Sequence, residues 1–270
     1  DLKNAKIYAS EALELFRRLE DDEGKAQVYR TLANISRHSQ NFEQALSYLG
    51  KGIDLVEDST SYPLIASLYQ LYGRTYRHYA SYVLSKENIE ARGAEANSLF
   101  KKAQSALQKS IVLAHDIGNR WEVARSQIEN VLIMMLNEDA YDEAKINELL
   151  EQAYQTANEL DNDLLRSYVY ENRARIELRN ERYFDAGIAL GNAAWHIAKR
   201  TGQESTRAFS RLHNHLVMNP FLDKEQNESQ VNGVLEQLQK QDFQEYPRLA
   251  ALVNMCKQII FKPNTEQELQ

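Results

Sequence analysis

The sequence predicts an all-α protein, a right-handed superhelical solenoid of antiparallel helix hairpins without β-sheet, and three observations lead there. An alanine anchor in an amphipathic run recurs at Ala5, Ala45, Ala103, Ala144 and Ala186, at intervals of 40, 58, 41 and 42 residues. The anchors share neighbours: Ala9, Leu49, Leu107 or Leu190 stands four residues on, and Ala12, Gly52, Ser110 or Ala193 seven residues on. Positions i, i+4 and i+7 share one helix face, and small residues there let another helix approach closely. Only 4 prolines and 10 glycines interrupt 270 residues, and alternating β-branched runs are scarce. Repetition near forty residues marks helix hairpins that each pack on their neighbours.

In chain order, Ala5 to Leu19 reads as a helix closed by the acidic turn Glu20-Asp21-Asp22-Glu23-Gly24. Ala26 to Ser39 and Phe42 to Val56 form a hairpin joined at Gln40-Asn41, and the polar stretch from Glu57 to Pro63 breaks the chain. The 58-residue interval holds an insertion of about eighteen residues near 79–98. Its polar part runs from Ser85 to Gly93. Either it lengthens two helices or it forms a surface loop, as plain decoration or as a partner-contacting protrusion. Later breaks fall at Ile117-Gly118-Asn119, Leu160-Asp161-Asn162-Asp163 and Thr201-Gly202-Gln203. They share alanine, three residues, then Gly or Asp, residues that end one helix and start the next. Thr206 to Met218, Gln230 to Gln239 and Tyr246 to Ile260 read as degenerate helix pairs, so that 1–270 forms a single solenoid with clear repeats over 1–200.

Composition excludes several classes. A net charge of −7 argues against a general nucleic-acid binder, which needs a basic face to neutralise phosphates. The single cysteine, Cys256, allows neither an internal disulfide framework nor a cysteine-based zinc site, and reads as a small apolar residue near a helix end. No apolar run is long enough to span a membrane. The start at Asp1-Leu2-Lys3, without methionine or an apolar secretory segment, leads us to expect a fragment of a longer protein.

First helices read Tyr29-x-x-Leu32-Ala33 before Phe42-x-x-Ala45, then Tyr69-x-x-Tyr72-Gly73-x-x-Tyr76, then Tyr170-x-x-Arg173-Ala174 before Tyr183-Phe184-x-Ala186. This pattern resembles the tetratricopeptide repeat family, with repeats near forty residues that look like the longer ones of bacterial signalling regulators. The resemblance covers residues 1–200. It departs where the family's post-helix proline is absent and where Arg173 replaces a leucine. The resemblance implies that first helices line a concave, partner-binding surface. It does not extend to the family members that hold chaperone tails with lysines and asparagines: Gln27, Thr31, Ser67 and Leu71 stand at those places, and only Asn172 agrees.

On that inner face, counting Tyr29, Tyr69 and Tyr170 as equivalent, the candidate partner-binding residues are Arg30, Asn34, Arg37, His38, Arg74, Arg77, His78, Arg175 and Arg179. Arginine forks match carboxylates, so the row suits an acidic or C-terminal segment. The competing reading is structural. Cations near helix C-termini stabilise the dipole, and these arginines have Glu129 and Glu171 within reach on neighbouring helices. The stripe Tyr69, Tyr72, Tyr76 and Tyr79 reads as helix packing ahead of base stacking. His213 and His215 point apart on a helix, the other histidines are scattered, and no metal or cofactor is expected. Asp161-Asn162-Asp163 lacks the glycine and distant glutamate of a calcium loop and reads as a cap.

These readings predict a non-enzymatic protein- or peptide-binding module within a larger cytoplasmic regulator. The alternative is a scaffold subunit that assembles a complex through its convex face or edges. The repeat register itself is testable. Ala45→Trp and Ala186→Trp should each unfold a repeat locally at a cost of about 1–3 kcal/mol or more. Unchanged melting temperatures in both variants would refute the register.

Overall fold

A computed structural model describes residues 2–86 and 89–201 of the chain. Among the described residues there is no strand. The helices are α1 (Leu2–Arg18), α2 (Asp22–His38), α3 (Phe42–Val56), α4 (Tyr62–Leu84), α5 (Ile89–Asp116), α6 (Arg120–Leu136), α7 (Glu143–Glu159), α8 (Asp163–Arg179) and α9 (Tyr183–Thr201), with one 3-10 turn at Glu138–Ala140. None of these helices is long and apolar enough to cross a membrane. The expected helix pairs over 204–260, His213, His215, Cys256 and the Gly202-Gln203 part of the last break lie outside the described residues.

The chain divides into two compact units, Asp1–Gln152 and Ala153–Gln270, with the division inside α7. In the first unit each helix from α1 to α6 packs on the next, and α2, α4 and α6 also touch in sequence. In the second, α8 packs on α9. Sequential packing with short connections is the hairpin architecture that the repeats predict.

Small residues sit where helices cross. A methyl group added at Gly73 would lie 2.6 Å from Leu107 Cγ and 2.9 Å from the Ala103 carbonyl oxygen, so α4 and α5 meet there nearly backbone to backbone. Ser110 and Ser126 bond at 3.1 Å where α5 meets α6. Leu49, Leu107, Leu190 and the anchors Ala45, Ala103 and Ala186 are buried. The anchor at Ala144 is a correction. Ala144 is exposed, and α7 buries Ile146, Leu150, Ala153 and Ala157 instead. An isoleucine, Ile146, occupies the anchor position there, two residues after Ala144.

The insertion lengthens both arms of a hairpin. The helix α4 has 23 residues and α5 has 28, against 17 in α2 and α6. Ala80, Val83, Ala96, Leu99 and Phe100 bury between the arms, and Phe42 of α3 stacks on Tyr79 at 5.2 Å, which pins α3 to the lengthened arm. The Tyr69–Tyr79 stripe is likewise engaged in packing: Tyr72 meets Tyr76 edge-on at 5.1 Å, and all four tyrosines border the buried clusters. Pro63, expected in the preceding break, lies in the first turn of α4, where its missing N–H costs nothing.

Five helices end in one closure. Glu20, Gln40, Gly118, Asp161 and Glu181 take left-handed φ of 52°, 58°, 69°, 44° and 60°. The next residue donates its N–H back to the helix: Asn41 to Ser36 at 2.8 Å, Asn119 to Ala114 at 2.8 Å and Asn162 to Ala157 at 2.8 Å. Asp21, Asn119 and Asn162 then cap the following helix, accepting from Gly24, Glu122 and Leu165. One residue thus closes one helix and opens the next, which fixes a tight turn.

Left-handed backbone costs a non-glycine residue about 1–2 kcal/mol. Gln40→Gly should therefore raise stability in denaturant titration by about 0.5–1 kcal/mol, glycine's extra chain entropy offsetting part of the relief. Gly118→Ala should lower it by about 1 kcal/mol. The same sign in both variants would contradict this account.

Candidate functional site

The burial pattern sets the first helices in register. Ala26, Val28 and Ala33 of α2 match Ala66, Leu68 and Gly73 of α4, Ala124, Ser126 and Val131 of α6, and Ser167, Val169 and Ala174 of α8, all buried. Tyr29, Tyr69 and Tyr170 are equivalent in this register, and Gln127 takes the tyrosine's place in α6. Two polar stripes follow at i, i+4, i+7 spacing: Arg30, Asn34 and Arg37 on α2, and Gln70, Arg74 and Arg77 on α4. The corresponding residues of α6 are the apolar Ile128, Leu132 and Met135.

Because α2 touches α4 and α4 touches α6, these stripes run side by side in the first unit. Arg30 donates to Ser67 across the α2–α4 seam at 2.8 Å. Glu129 of α6 reaches the other way, accepting from Arg77 Nε at 2.8 Å and lying 3.3 Å from Arg74 Nε. Burial opposes the Glu129 charge, but Arg77 and then Arg74 outweigh it and hold its pKa below the usual range. Arg37 and Arg77 each direct Nη2 at the adjacent imidazole, His38 Nε2 at 2.9 Å and His78 Nε2 at 3.1 Å. An imidazole nitrogen facing a guanidinium must accept, so both rings are neutral in this arrangement. Burial first, then the neighbouring arginine charges, lower both histidine pKa values.

Arg37 is a poorly compensated cation. It is 6% exposed, yet it forms no ion pair with any described residue. Nη2 alone is bonded, to Asn34 and His38, and the buried Nε has no partner. Burial and then the Arg74 charge bring its pKa down to about 9. The group stays charged at neutral pH, so the shift measures how little surrounds it to balance that charge. Gln70 is fully buried with both amide atoms unpaired.

The structure therefore gathers Arg30, Asn34, Arg37, His38, Arg74, Arg77 and His78 on one face of the first unit. Arg175 and Arg179 lie on α8 in the second unit. Arg175 pairs at 2.9 Å with Glu171, which belongs to its own helix and not to a neighbouring one. Reading the sequence missed Glu122 and Arg125, which α6 adds beside Arg30. Burial raises the Glu122 pKa against the pull of Arg125 and Arg30, and Arg125 also stacks over Trp121 at 4.9 Å. Carrying the 58-residue interval from the second helices to the first would have found them, since it maps Tyr69 onto Gln127. Among the described residues no cluster of His, Cys, Asp or Glu could hold a metal ion. No protein-family model matches the chain, and no curated protein matches it significantly.

The histidines make stability pH-dependent. Their folded-state pKa values lie below the ordinary 6.5, so the unfolded chain binds more protons as pH falls through that value, and stability falls with it. Glu129, held low, adds a second loss below its ordinary 4.5. Melting temperature should drop between pH 7 and about 5.5, and His78→Gln should flatten that drop. An equal slope in the variant would show that His78 takes up its proton alike in the folded and unfolded chain, against this account.

Proposed function

We propose that the chain is a non-enzymatic protein-binding module, built as a tetratricopeptide-like right-handed solenoid, that holds an acidic protein segment against the α2–α4 face. The observation that supports this reading most is the excess of guanidinium over carboxylate there. Arg74 and Arg77 share Glu129, while Arg30 and Arg37 form no ion pair with a described residue. In a chain of net charge −7 such a cationic face is not a by-product of composition. Desolvated cations bind carboxylates through charge-assisted, forked hydrogen bonds, and arginine does so with little loss of side-chain freedom. A role within a larger cytoplasmic regulator fits a module that carries recognition without chemistry of its own.

A scaffold role is the second reading, favoured by a specific feature of α1. Ile7, Tyr8 and Leu15 leave 46%, 69% and 58% of their surfaces exposed along that helix, and Leu19, in the turn after it, leaves 71%. Apolar surface of that kind suits an assembly contact.

The two readings separate in one measurement. A dye-labelled glutamate-rich peptide should bind the chain at low salt and weaken as salt rises. The double variant Arg30→Gln, Arg37→Gln should lose about 1.5–3 kcal/mol of that binding per lost contact, while Lys51→Gln on α3 should bind as the parent does. Retained affinity in the double variant, with an unchanged melting temperature, would remove this face as the binding site. Loss of self-association or of complex assembly on Tyr8→Glu, Leu15→Glu would instead favour the scaffold role.

A further inference from the structure

The α2–α4 face has a local centre whose charge and hydrogen-bond donors exceed what one carboxyl side chain supplies. Two guanidinium groups, Arg74 and Arg77, flank a single carboxylate, Glu129, and Arg37 stands on the touching helix α2 with no ion pair to a described residue. Arg37 and Arg77 hold the same register position on touching helices, and Arg74 lies one turn before Arg77 on the same stripe. Two positive charges remain uncompensated, and the partial negative charge of about one half at the C-terminus of α2 does not cancel them.

Donors are in surplus as well. A guanidinium has five N–H donors, and Arg37 commits only those of Nη2. Arg74 makes no hydrogen bond to a described residue: its Nε approaches Glu129 at 3.3 Å without one. Next on the same stripe, the Gln70 amide is fully buried with neither its N–H nor its carbonyl satisfied. A carboxylate would bring one charge and two oxygens to this place. A phosphoryl group brings about 1.5 to 2 negative charges and three acceptor oxygens, which fits both surpluses.

Resting on the acidic-segment reading above, we propose that Arg37, Arg74 and Arg77, with Asn34 and Gln70 beside them, form a subsite for the phosphoryl group of a phosphorylated protein segment. The guanidiniums of Arg37 and Arg74 fork onto the phosphoryl oxygens, and Arg77, fixed by Glu129 and His78, supplies charge from behind. Arg30, about two helical turns away along α2, engages the acidic residues that flank the phosphorylated position.

The test titrates the full 270-residue chain with three dye-labelled peptides that share a glutamate-rich frame and carry phosphoserine, glutamate or serine at the centre. Fluorescence anisotropy should show about tenfold tighter binding of the phosphoserine probe than of the glutamate probe. Inorganic phosphate should compete for it. Arg37→Gln and Arg74→Gln should each abolish the preference with helix content unchanged by circular dichroism. Arg74 makes no hydrogen bond to a described residue, and Arg77 still holds Glu129 in its variant, so Arg74→Gln decides the matter if Arg37→Gln does not fold. Equal binding of the phosphoserine and glutamate probes, weakened in Arg37→Gln, overturns the phosphoryl assignment and leaves the acidic-segment reading standing. A preference that survives in both variants also overturns it, since the phosphate is then read elsewhere. Inorganic phosphate that binds as tightly as the phosphoserine probe assigns the subsite to the free anion and not to a protein segment. Failure of every probe to bind removes both readings.

Discussion

Close approach of helix backbones is the constraint on which the rest of the first unit depends. Gly73 against Leu107 and Ala103, Gly52 against Leu68, and Ser110 against Ser126 leave no room for larger side chains. With these seams tight, consecutive helices pack side by side and alternate helices touch as well. The touching of α2 with α4, and of α4 with α6, converts polar residues scattered over a hundred positions of sequence into one face. A larger residue at a seam would act on that face as well as on the core, because it would separate the stripes that Arg30 and Glu129 tie together.

The polar face is held together by interactions that each need a neighbour. Glu129 sits buried and ionised only because Arg74 and Arg77 flank it, and the two imidazoles serve as acceptors only while neutral. Such a network costs desolvation in the free protein, and α2 carries the unpaid part of that cost in Arg37. Buried cations without counter-charges are uncommon in cores. Arg37, buried on α2 with no ion pair to a described residue, separates this face from ordinary surface ion pairs such as Arg18 with Glu14.

The lengthened hairpin of α4 and α5 shows how a repeat architecture absorbs an insertion. Both arms grow, the added turns bury their own core, and Phe42 clamps the base through Tyr79. The register of the outer arms therefore never disturbs that of α6. The interval from Ala103 to Ile146 is 43 residues, the same as from Gln127 to Tyr170.

The sequence by itself determined the helical class, the positions of most of the turns and most of the buried register, because these depend on local chemistry: periodic apolar residues, capping Asp and Asn, and small residues at crossings. It also pointed to the arginines of α2 and α4 as one inner row, by counting from the equivalent Tyr29 and Tyr69. It misplaced the α7 anchor, where Ile146 stands in for alanine, and left open whether the insertion was loop or helix, because residue size and polarity do not report which helices touch. Only the tertiary structure decided which cations are neutralised. Glu129 lies 52 residues from Arg77 and meets it through α4–α6 packing, while Glu171, close to Arg175 in sequence, pairs with it along a single helix. Pairing across helices depends on the crossing geometry of the backbones, which one strand of sequence does not contain. It is that geometry which leaves Arg37 buried, charged and without a carboxylate among the described residues.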